Sequence, residues 1–401
     1  MEEKTIGQKG FYKPRVVFPF VEAGMGHIAP ATSLADAFEK KYGAYTEVIR
    51  SSFFNEEKNP RLLAFEDMLR KNVQAGNKSS AFGFFQLSFM YTLGCHLTSF
   101  FVMHCVPGTV KHGLRHMKEV KPDMIVSTHY STTYLAKRAG VSKINALYVP
   151  DAEIIPLCRY PSDLVMISSE NGYEYNLSRF PRRFNKDNLA LVPFAIRKEA
   201  FACEGDKMAA REKLGLAKDR FTVVLFDGGY GLGNAGKVAE LLAKSDLPLT
   251  VICICGRNEK LYNRLQKISP SPTVDFRPYG FSNQVLELLS AADLFMGKGG
   301  ASSLAEACFF GLPMIVTSTA NQMEKHNAAQ YTERVGSALK ICNPKMAFQK
   351  VRELCCDVAQ YENLAEKARA ARPLFGSEET ADLLFLRLCE KYPHLKQFIK
   401  E

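Results

Sequence analysis

The stretch "LFMGKGGASSLAEACFFGLPMIVTSTANQMEKHNAA", residues 294–329, concentrates side chains able to hold a phosphorylated, hydroxyl-bearing ligand. Glycines 297, 299 and 300 let such a ligand approach the main chain. Ser302 or Ser303 can cap the helix that follows and meet a phosphate. Glu306, one turn further, is suited to accept hydrogen bonds from two ribose hydroxyls. Its neighbours Leu304, Ala305, Ala307 and Phe309 are poor company for a free surface carboxylate. A second glycine turn, "LFDGGYGLGNAGKVAELL", places Gly228, Gly229, Gly231 and Gly233 between a strand and a helix. It lacks the Gly-Lys-Ser/Thr of a P-loop and a clean dinucleotide fingerprint, but its amides can hold a phosphate. A third turn, "FVEAGMGHIAP", sets Gly24 and Gly26 beside His27 where an apolar run passes into helical periodicity. It either serves a ligand or merely turns the chain.

Positioning these turns requires alternating strands and helices. Apolar runs predict strands at 15–20, 45–50, 124–128, 144–149 and 164–168, with helices such as 27–41, 110–119 and 131–139 between them. The charged stretch "NLALVPFAIRKEAFACEGDKMAAREKLGLAKDR" reads as mostly helical. The pattern then restarts at "FTVVLF" and continues at 249–254, 273–277, 293–296, 313–317 and 337–340. Such alternation means parallel sheets covered on both faces. The expected class is α/β, with two Rossmann-like domains facing across a cleft.

The chain's 401 residues exceed what one core usually supports, which also argues for two domains. A net charge of +10 suits an acidic partner such as phosphate or anionic lipid. The lack of long basic runs, zinc-finger spacing or RNA-binding motifs argues against nucleic acid. Eleven cysteines with no framework or metal spacing, and no signal peptide, read as reduced thiols of a cytoplasmic protein. From Ser79 to Val110 there is no Lys, Arg, Asp or Glu, and the run "AFGFFQLSFMYTLGCHLTSFFVMHC" is rich in aromatics. It reads as one or two helices that line an acceptor pocket or dip into a membrane interface, or else as a buried core helix.

The segment 278–331 resembles the nucleotide-sugar signature of GT-B glycosyltransferases. It is most similar to family 28, the group of the monogalactosyldiacylglycerol synthases, the diacylglycerol glucosyltransferases and the peptidoglycan lipid-intermediate N-acetylglucosaminyltransferase. "VICICGRNEKL" resembles the group's Cys-Gly-x-Asn-x-x-Leu, and "YGFSNQVLELLSAADLFMGKGG" its Gly-Phe … Asp … Lys-x-Gly-Gly. The resemblance implies an acceptor-binding domain at 1–195, a nucleotide-sugar domain at 196–370, and helices at 371–401 returning to the first domain. It implies that Glu306 binds the uridine ribose. Ser302, Ser303, Gly299, Gly300 and the turn Gly228, Gly229, Gly231 would hold the diphosphate, with Arg257 and Asn258 also on the donor side. Phe281 would contact uracil. Glu324 and Asn327 would read the sugar, with Gln322 and Met323 standing where that motif usually has Gly and Gln.

By the same resemblance Gly24 and Gly26 face the donor from the acceptor side, and His27 is the candidate general base. Asp151, in "ALYVPDAEIIP", is the second candidate; plant-type relatives follow it with His-x-x-Trp, and this chain has no tryptophan. His129, in "VSTHYST", either lines the acceptor side or is buried and structural. The implied reaction is inverting transfer of a hexose from a UDP-sugar to a lipid hydroxyl, diacylglycerol foremost, at the inner face of the membrane. No Asp-x-Asp motif occurs, so neither a metal nor a resident cofactor is required. Rival expectations are a polyprenyl-linked or soluble acceptor, a UDP-sugar 2-epimerase, and a non-catalytic UDP-sugar binding subunit.

Overall fold

The computed structural model describes residues 12–22, 25–78 and 80–399, without the side chains at 25, 73–74, 76–78 and 80–87. Gly24 thus lies outside the described residues, as do the side chains of Phe82, Phe84 and Phe85. The chain forms two compact units.

The N-terminal unit comprises residues 12–75, 85–197 and 376–399. Its strands are β1 (Arg15–Pro19), β2 (Glu47–Ser51), β3 (Met124–Ser127), β4 (Ile144–Val149), β5 (Leu164–Ile167) and β6 (Leu189–Leu191). They form one parallel sheet in the order β2-β1-β3-β4-β5-β6. β3, β4 and β5 are buried along their whole length, as their unbroken apolar runs require when helices cover both faces. On one face Phe18, Leu34, Phe38 and Tyr148 pack with Phe385 and Leu388 of the last helix, Glu378–Lys391. The rings of Tyr42 and Phe385 stack with centroids 3.8 Å apart. On the other face lie Phe53, Phe54, Leu62, Phe65, Met103 and Tyr134. Asp123 joins the two ends of the chain: it accepts the amide N–H of Arg15 and the hydroxyls of both Tyr12 and Tyr392.

β6 departs from the mostly helical reading of its region. Three residues are too few to show a period, and the strand exists because its backbone pairs with β5.

The helix Ser80–His104 breaks at Gly94, whose φ of 71° lies in the left-handed region. Met103 is buried, but Phe89, Leu97, Phe100 and Phe101 are 48–56% exposed, so the core-helix reading fails for this face. Among the described residues no single helix is long and apolar enough to cross a membrane.

The C-terminal unit comprises Lys198–Phe375 with the short stretch Gly76–Phe84. Its strands are β7 (Phe221–Phe226), β8 (Leu249–Ile254), β9 (Asp275–Tyr279), β10 (Leu294–Lys298), β11 (Met314–Ser318) and β12 (Ala338–Lys340). They form a second parallel sheet, β12-β11-β10-β7-β8-β9. In both sheets the winding direction reverses beside the first strand, between β1 and β3 and between β7 and β10. Ligands of open α/β sheets bind at such switch points, off the carboxyl ends of the strands. All three glycine turns read from the sequence follow strands at these two places.

The turn after β7 needs its glycines. Gly231 has φ 56°, and a Cβ there would stand 2.2 Å from the carbonyl oxygen of Cys255. Gly231→Ala is expected to cost at least 2 kcal/mol, combining left-handed strain with a backbone clash, and to lower the melting temperature by roughly 4–8 °C. Gly229→Ala, which meets nothing within 4 Å, should melt like the parent in the same calorimetric scan.

Candidate functional site

In the N-terminal unit the helix Met25–Tyr42 starts just after β1 and carries His27 in its first turn. His27 Nδ1 lies 2.8 Å from the carbonyl oxygen of Thr128, and the Thr128 hydroxyl donates back to the His27 carbonyl at 2.8 Å. A carbonyl only accepts, so Nδ1 carries the proton and Nε2 keeps its lone pair. Burial lowers the pKa of His27; the Thr128 carbonyl and the charge of Asp151 oppose that, and the net shift is downward from 6.5. The ring is therefore neutral at neutral pH, as a general base must be.

Asp151 follows β4 and is close enough to His27 to act on its charge. The structure thus brings the two candidate bases to one sheet edge. His129 caps the helix Tyr130–Ala139 and is 5% exposed; its Nδ1 accepts the Ser131 amide N–H, which puts the proton on Nε2. The two imidazole rings meet edge to face, 4.8 Å apart. Burial and the nearby His27 push the pKa of His129 well down. Of its two readings, the capping contacts and burial suit the structural one. A Cβ on Gly26 would meet nothing within 4 Å among the described residues. Sequence reasoning missed Glu66: its carboxylate accepts the amide of Glu22 and the side-chain amide of Asn55, both at 2.6 Å, and so anchors the start of the turn.

In the C-terminal unit Gly228 and Gly231 take positive φ after β7. Asp227, just before them, accepts the Ala235 amide N–H at 2.8 Å and ties the turn to the helix Ala235–Ala243. Burial raises the pKa of Asp227 to about 6, against the opposing pull of the Ala235 amide and Lys298. At the neighbouring switch-point strand Lys298 donates to Glu324 at 2.8 Å, with both side chains largely buried. A Cβ on Gly228 would lie 3.2 Å from Lys298 Cε, so this ammonium stem borders the turn. Asp227 and Lys298 were legible only as the residues beside glycines; their partnerships were not.

The helix Ala301–Phe309 begins at Gly300, whose extended backbone (φ −78°, ψ 129°) makes it the N-cap residue. This corrects the expectation that Ser302 or Ser303 caps the helix. Both lie inside its first turn, and no side chain caps it. Glu306 is 6% exposed, on the same helix.

Glu324 is bound on both oxygens: Lys298 holds Oε1, and the Ala320 amide donates to Oε2 at 2.7 Å. Asn321 caps the helix Gln322–Ala329 by accepting the Glu324 amide N–H. Asn327, 3% exposed, donates to the Gly299 carbonyl at 3.4 Å. Asn258 caps the helix Glu259–Leu265 and donates to the Gly231 carbonyl at 3.0 Å, so it shapes the glycine turn. Phe281 is 62% exposed, with the Arg257 guanidinium 5.4 Å from its ring centre. That ring is free to stack on a planar ligand.

Glu57, His116 and Glu119 bring ligand atoms within 4.8 Å of one another, the one such group found among the described residues. Arg115 already bridges the two carboxylates, and His116 is held between Glu56 and Glu57. The cluster is an ion-pair network as it stands.

Residues 234–383 match the model of the glycosyltransferase family 28 C-terminal domain. The chain is 27% identical over 193 residues to a processive diacylglycerol beta-glucosyltransferase of Bacillus licheniformis, covering 48% of this chain and 49% of that protein. It thus spans about half the length of that relative. A UDP-N-acetylglucosamine–N-acetylmuramyl-(pentapeptide) pyrophosphoryl-undecaprenol N-acetylglucosamine transferase of Acetivibrio thermocellus is 28% identical, covering 63% of this chain and 70% of its own. Monogalactosyldiacylglycerol synthase 2 of Arabidopsis thaliana is 23% identical over 90% of this chain and 78% of its own. The crystal structure of Acinetobacter baumannii MurG matches in fold, with TM-score 0.57 and 16% identity over 92% of this chain and 99% of that one. With its two parallel Rossmann-like sheets the chain has the GT-B fold, and its residues 234–383 match the glycosyltransferase family 28 C-terminal domain.

Proposed function

We propose that this chain transfers a hexose from a UDP-sugar to a hydroxyl of a membrane lipid, diacylglycerol, with inversion at the anomeric carbon. The observation that carries this reading is His27, whose Nδ1–H is held by the Thr128 carbonyl while Nε2 keeps its lone pair. Nε2 takes the acceptor's hydroxyl proton as the oxygen bonds to the anomeric carbon and the bond to the diphosphate breaks. Asp151 stabilises the imidazolium that forms. UDP leaves with its new charge met by amides of the turn Gly228–Gly233 and by the uncapped first turn of the helix Ala301–Phe309. Glu306 holds the ribose and Phe281 stacks on uracil. Glu324 positions Lys298 beside the diphosphate, a role its two existing hydrogen bonds favour over reading the sugar. These steps require no metal.

The lipid acceptor rests on the exposed Phe89, Leu97, Phe100 and Phe101, with the exposed Lys111 on the helix that follows, Thr109–Val120, and on relatives named for lipid acceptors. Aromatic area and cations together favour peripheral binding to an anionic bilayer. Wild type is expected to float with anionic liposomes at low salt and to float less as salt shortens the Debye length to about 8–10 Å. The double variant Phe100→Ser/Phe101→Ser should lose flotation while keeping its melting temperature. A wild type that never floats removes the lipid from the proposal. Following UDP release with UDP-sugars and either diacylglycerol or a polyprenyl diphosphate sugar fixes the acceptor class. Release of UDP and free sugar with no acceptor present would mark an epimerase instead.

A further inference from the structure

A carboxylate is built into the floor of the glycine turn that follows β7. Asp227 comes directly after the apolar run "FTVVLF" and is 3% exposed. Only a hydrogen fits at Gly233, because a Cβ there would stand 2.5 Å from the carboxyl carbon and from Oδ2 of Asp227. Oδ2 accepts the Ala235 amide N–H at 2.8 Å. In the parallel register Phe226 pairs with Gly297, which brings Asp227 beside Lys298 of the neighbouring strand. The Lys298 ammonium lies 2.8 Å from Glu324, and these two side chains are 17% and 7% exposed. The charged and titratable groups facing Asp227 are thus Lys298 from β10, Glu324 from the helix Gln322–Ala329 and the Cys253 thiol from β8; the helix Ala235–Ala243 gives it a backbone amide. With Asp227 ionised, two carboxylates face one ammonium, and the buried cluster carries an excess negative charge. Burial and the Glu324 charge push the Asp227 carboxyl up to about 6, against the Ala235 amide and Lys298. The same turn, at Gly231, Leu232 and Gly233, borders a cavity of about 510 Å³ with Lys237 and Lys260 in its wall. A turn that offers amides to an anion is therefore underlain by a charge of the anion's own sign.

We propose that Asp227 takes up one proton from solvent as the diphosphate of the UDP-sugar settles on this turn, and returns it when UDP leaves. The proposal rests on the donor reading above, in which amides of Gly228–Gly233 hold the diphosphate. Each negative charge brought near a carboxylate favours its neutral form, and most strongly where burial leaves little water to screen it. Lys298 offsets this only in part, because Glu324 already shares its charge. Protonated on Oδ1, Asp227 still accepts the Ala235 amide through Oδ2, so the turn keeps its shape. What remains is one ammonium and one carboxylate, a neutral pair beneath the bound anion. The free protein must then gain a proton to bind, so donor affinity falls as pH rises above the ordinary titration of Asp227. Asp227 is in this sense a positioning residue for the donor, touching the turn and not the sugar.

The test is calorimetric titration of the full chain with UDP-glucose, in pairs of buffers that differ in ionisation enthalpy. UDP-glucose is the probe because its diphosphate is esterified at both ends and keeps a constant charge across neutral pH. Wild type is expected to take up close to one proton per UDP-glucose at about pH 7, and to bind roughly tenfold more weakly at about pH 8. Asp227→Asn keeps the shape and the acceptor for the Ala235 amide but cannot titrate. It should take up no proton, bind equally at both pH values, and bind more tightly than wild type at the higher one. A purely structural Asp227 predicts the opposite, an equal loss of affinity at both pH values, and that result overturns the proposal. Should Asp227→Asn fail to fold, Glu324→Gln carries the test: it frees Lys298 to offset Asp227, so proton uptake should fall and the pH dependence flatten. Wild-type binding without proton uptake, or undiminished uptake in folded Asp227→Asn, overturns the proposal and leaves the donor reading standing. A wild type that binds neither UDP-glucose nor UDP sinks the donor reading and this proposal with it.

Discussion

His27→Ala is expected to lower kcat by roughly 10²–10⁴-fold, the range for loss of a general base, with UDP affinity nearly unchanged. The split is specific because His27 belongs to the N-terminal unit, and every residue assigned to UDP belongs to the other. The pH profile supplies a second readout. A base works when unprotonated, so kcat/KM rises with pH through the pKa of His27. Burial places that pKa below 6.5, so the acid limb falls below 6.5. Asp151 raises the pKa of His27. Asp151→Asn should therefore move the acid limb to still lower pH, whereas His27→Ala should abolish it. A His27→Ala protein with full activity and an intact acid limb would transfer the role to Asp151.

The strands were legible because parallel strands covered on both faces must be continuous apolar runs; "RVVFP", "INALYV", "FTVVLF" and "LTVICI" are of that kind. β6 was not, since its three residues exist through pairing with β5. The glycine turns were legible for a related reason: Gly228 and Gly231 adopt backbone angles that other residues resist. Their locations followed from strand–turn–helix order alone. What the sequence hid are the pairings across distance. Lys298 and Glu324 are 26 residues apart, and only the packing of β10 against β11 brings them together. The helix cap was misassigned for a local reason. Serines attract the N-cap assignment, yet Gly300 takes the extended conformation first and leaves Ser302 and Ser303 inside the helix.

Glu306→Ala is expected to weaken UDP binding by at least about a hundredfold. A carboxylate accepting two ribose hydroxyls makes two hydrogen bonds to a charged group, each contributing roughly 1.5–3 kcal/mol. Every 1.4 kcal/mol is a factor of about ten in affinity, so even one such bond with partial compensation by water accounts for most of the loss. Two companion measurements separate binding from stability. Glu306 is 6% exposed on a helix that packs through Leu304, Ala305, Ala307 and Cys308. Truncation therefore leaves a small void, and the melting temperature should fall by only a few degrees, about what 1 kcal/mol does to a domain of this size. Glu306→Gln keeps the volume and one acceptor oxygen, so it should melt like the parent and bind UDP with intermediate affinity. Uridine and 2′,3′-dideoxyuridine should then be distinguished by the wild type and bound alike by Glu306→Ala, because only the carboxylate reads the hydroxyls. Unchanged UDP affinity in a folded Glu306→Ala protein would leave this helix with a packing role and move the nucleoside elsewhere on the C-terminal sheet.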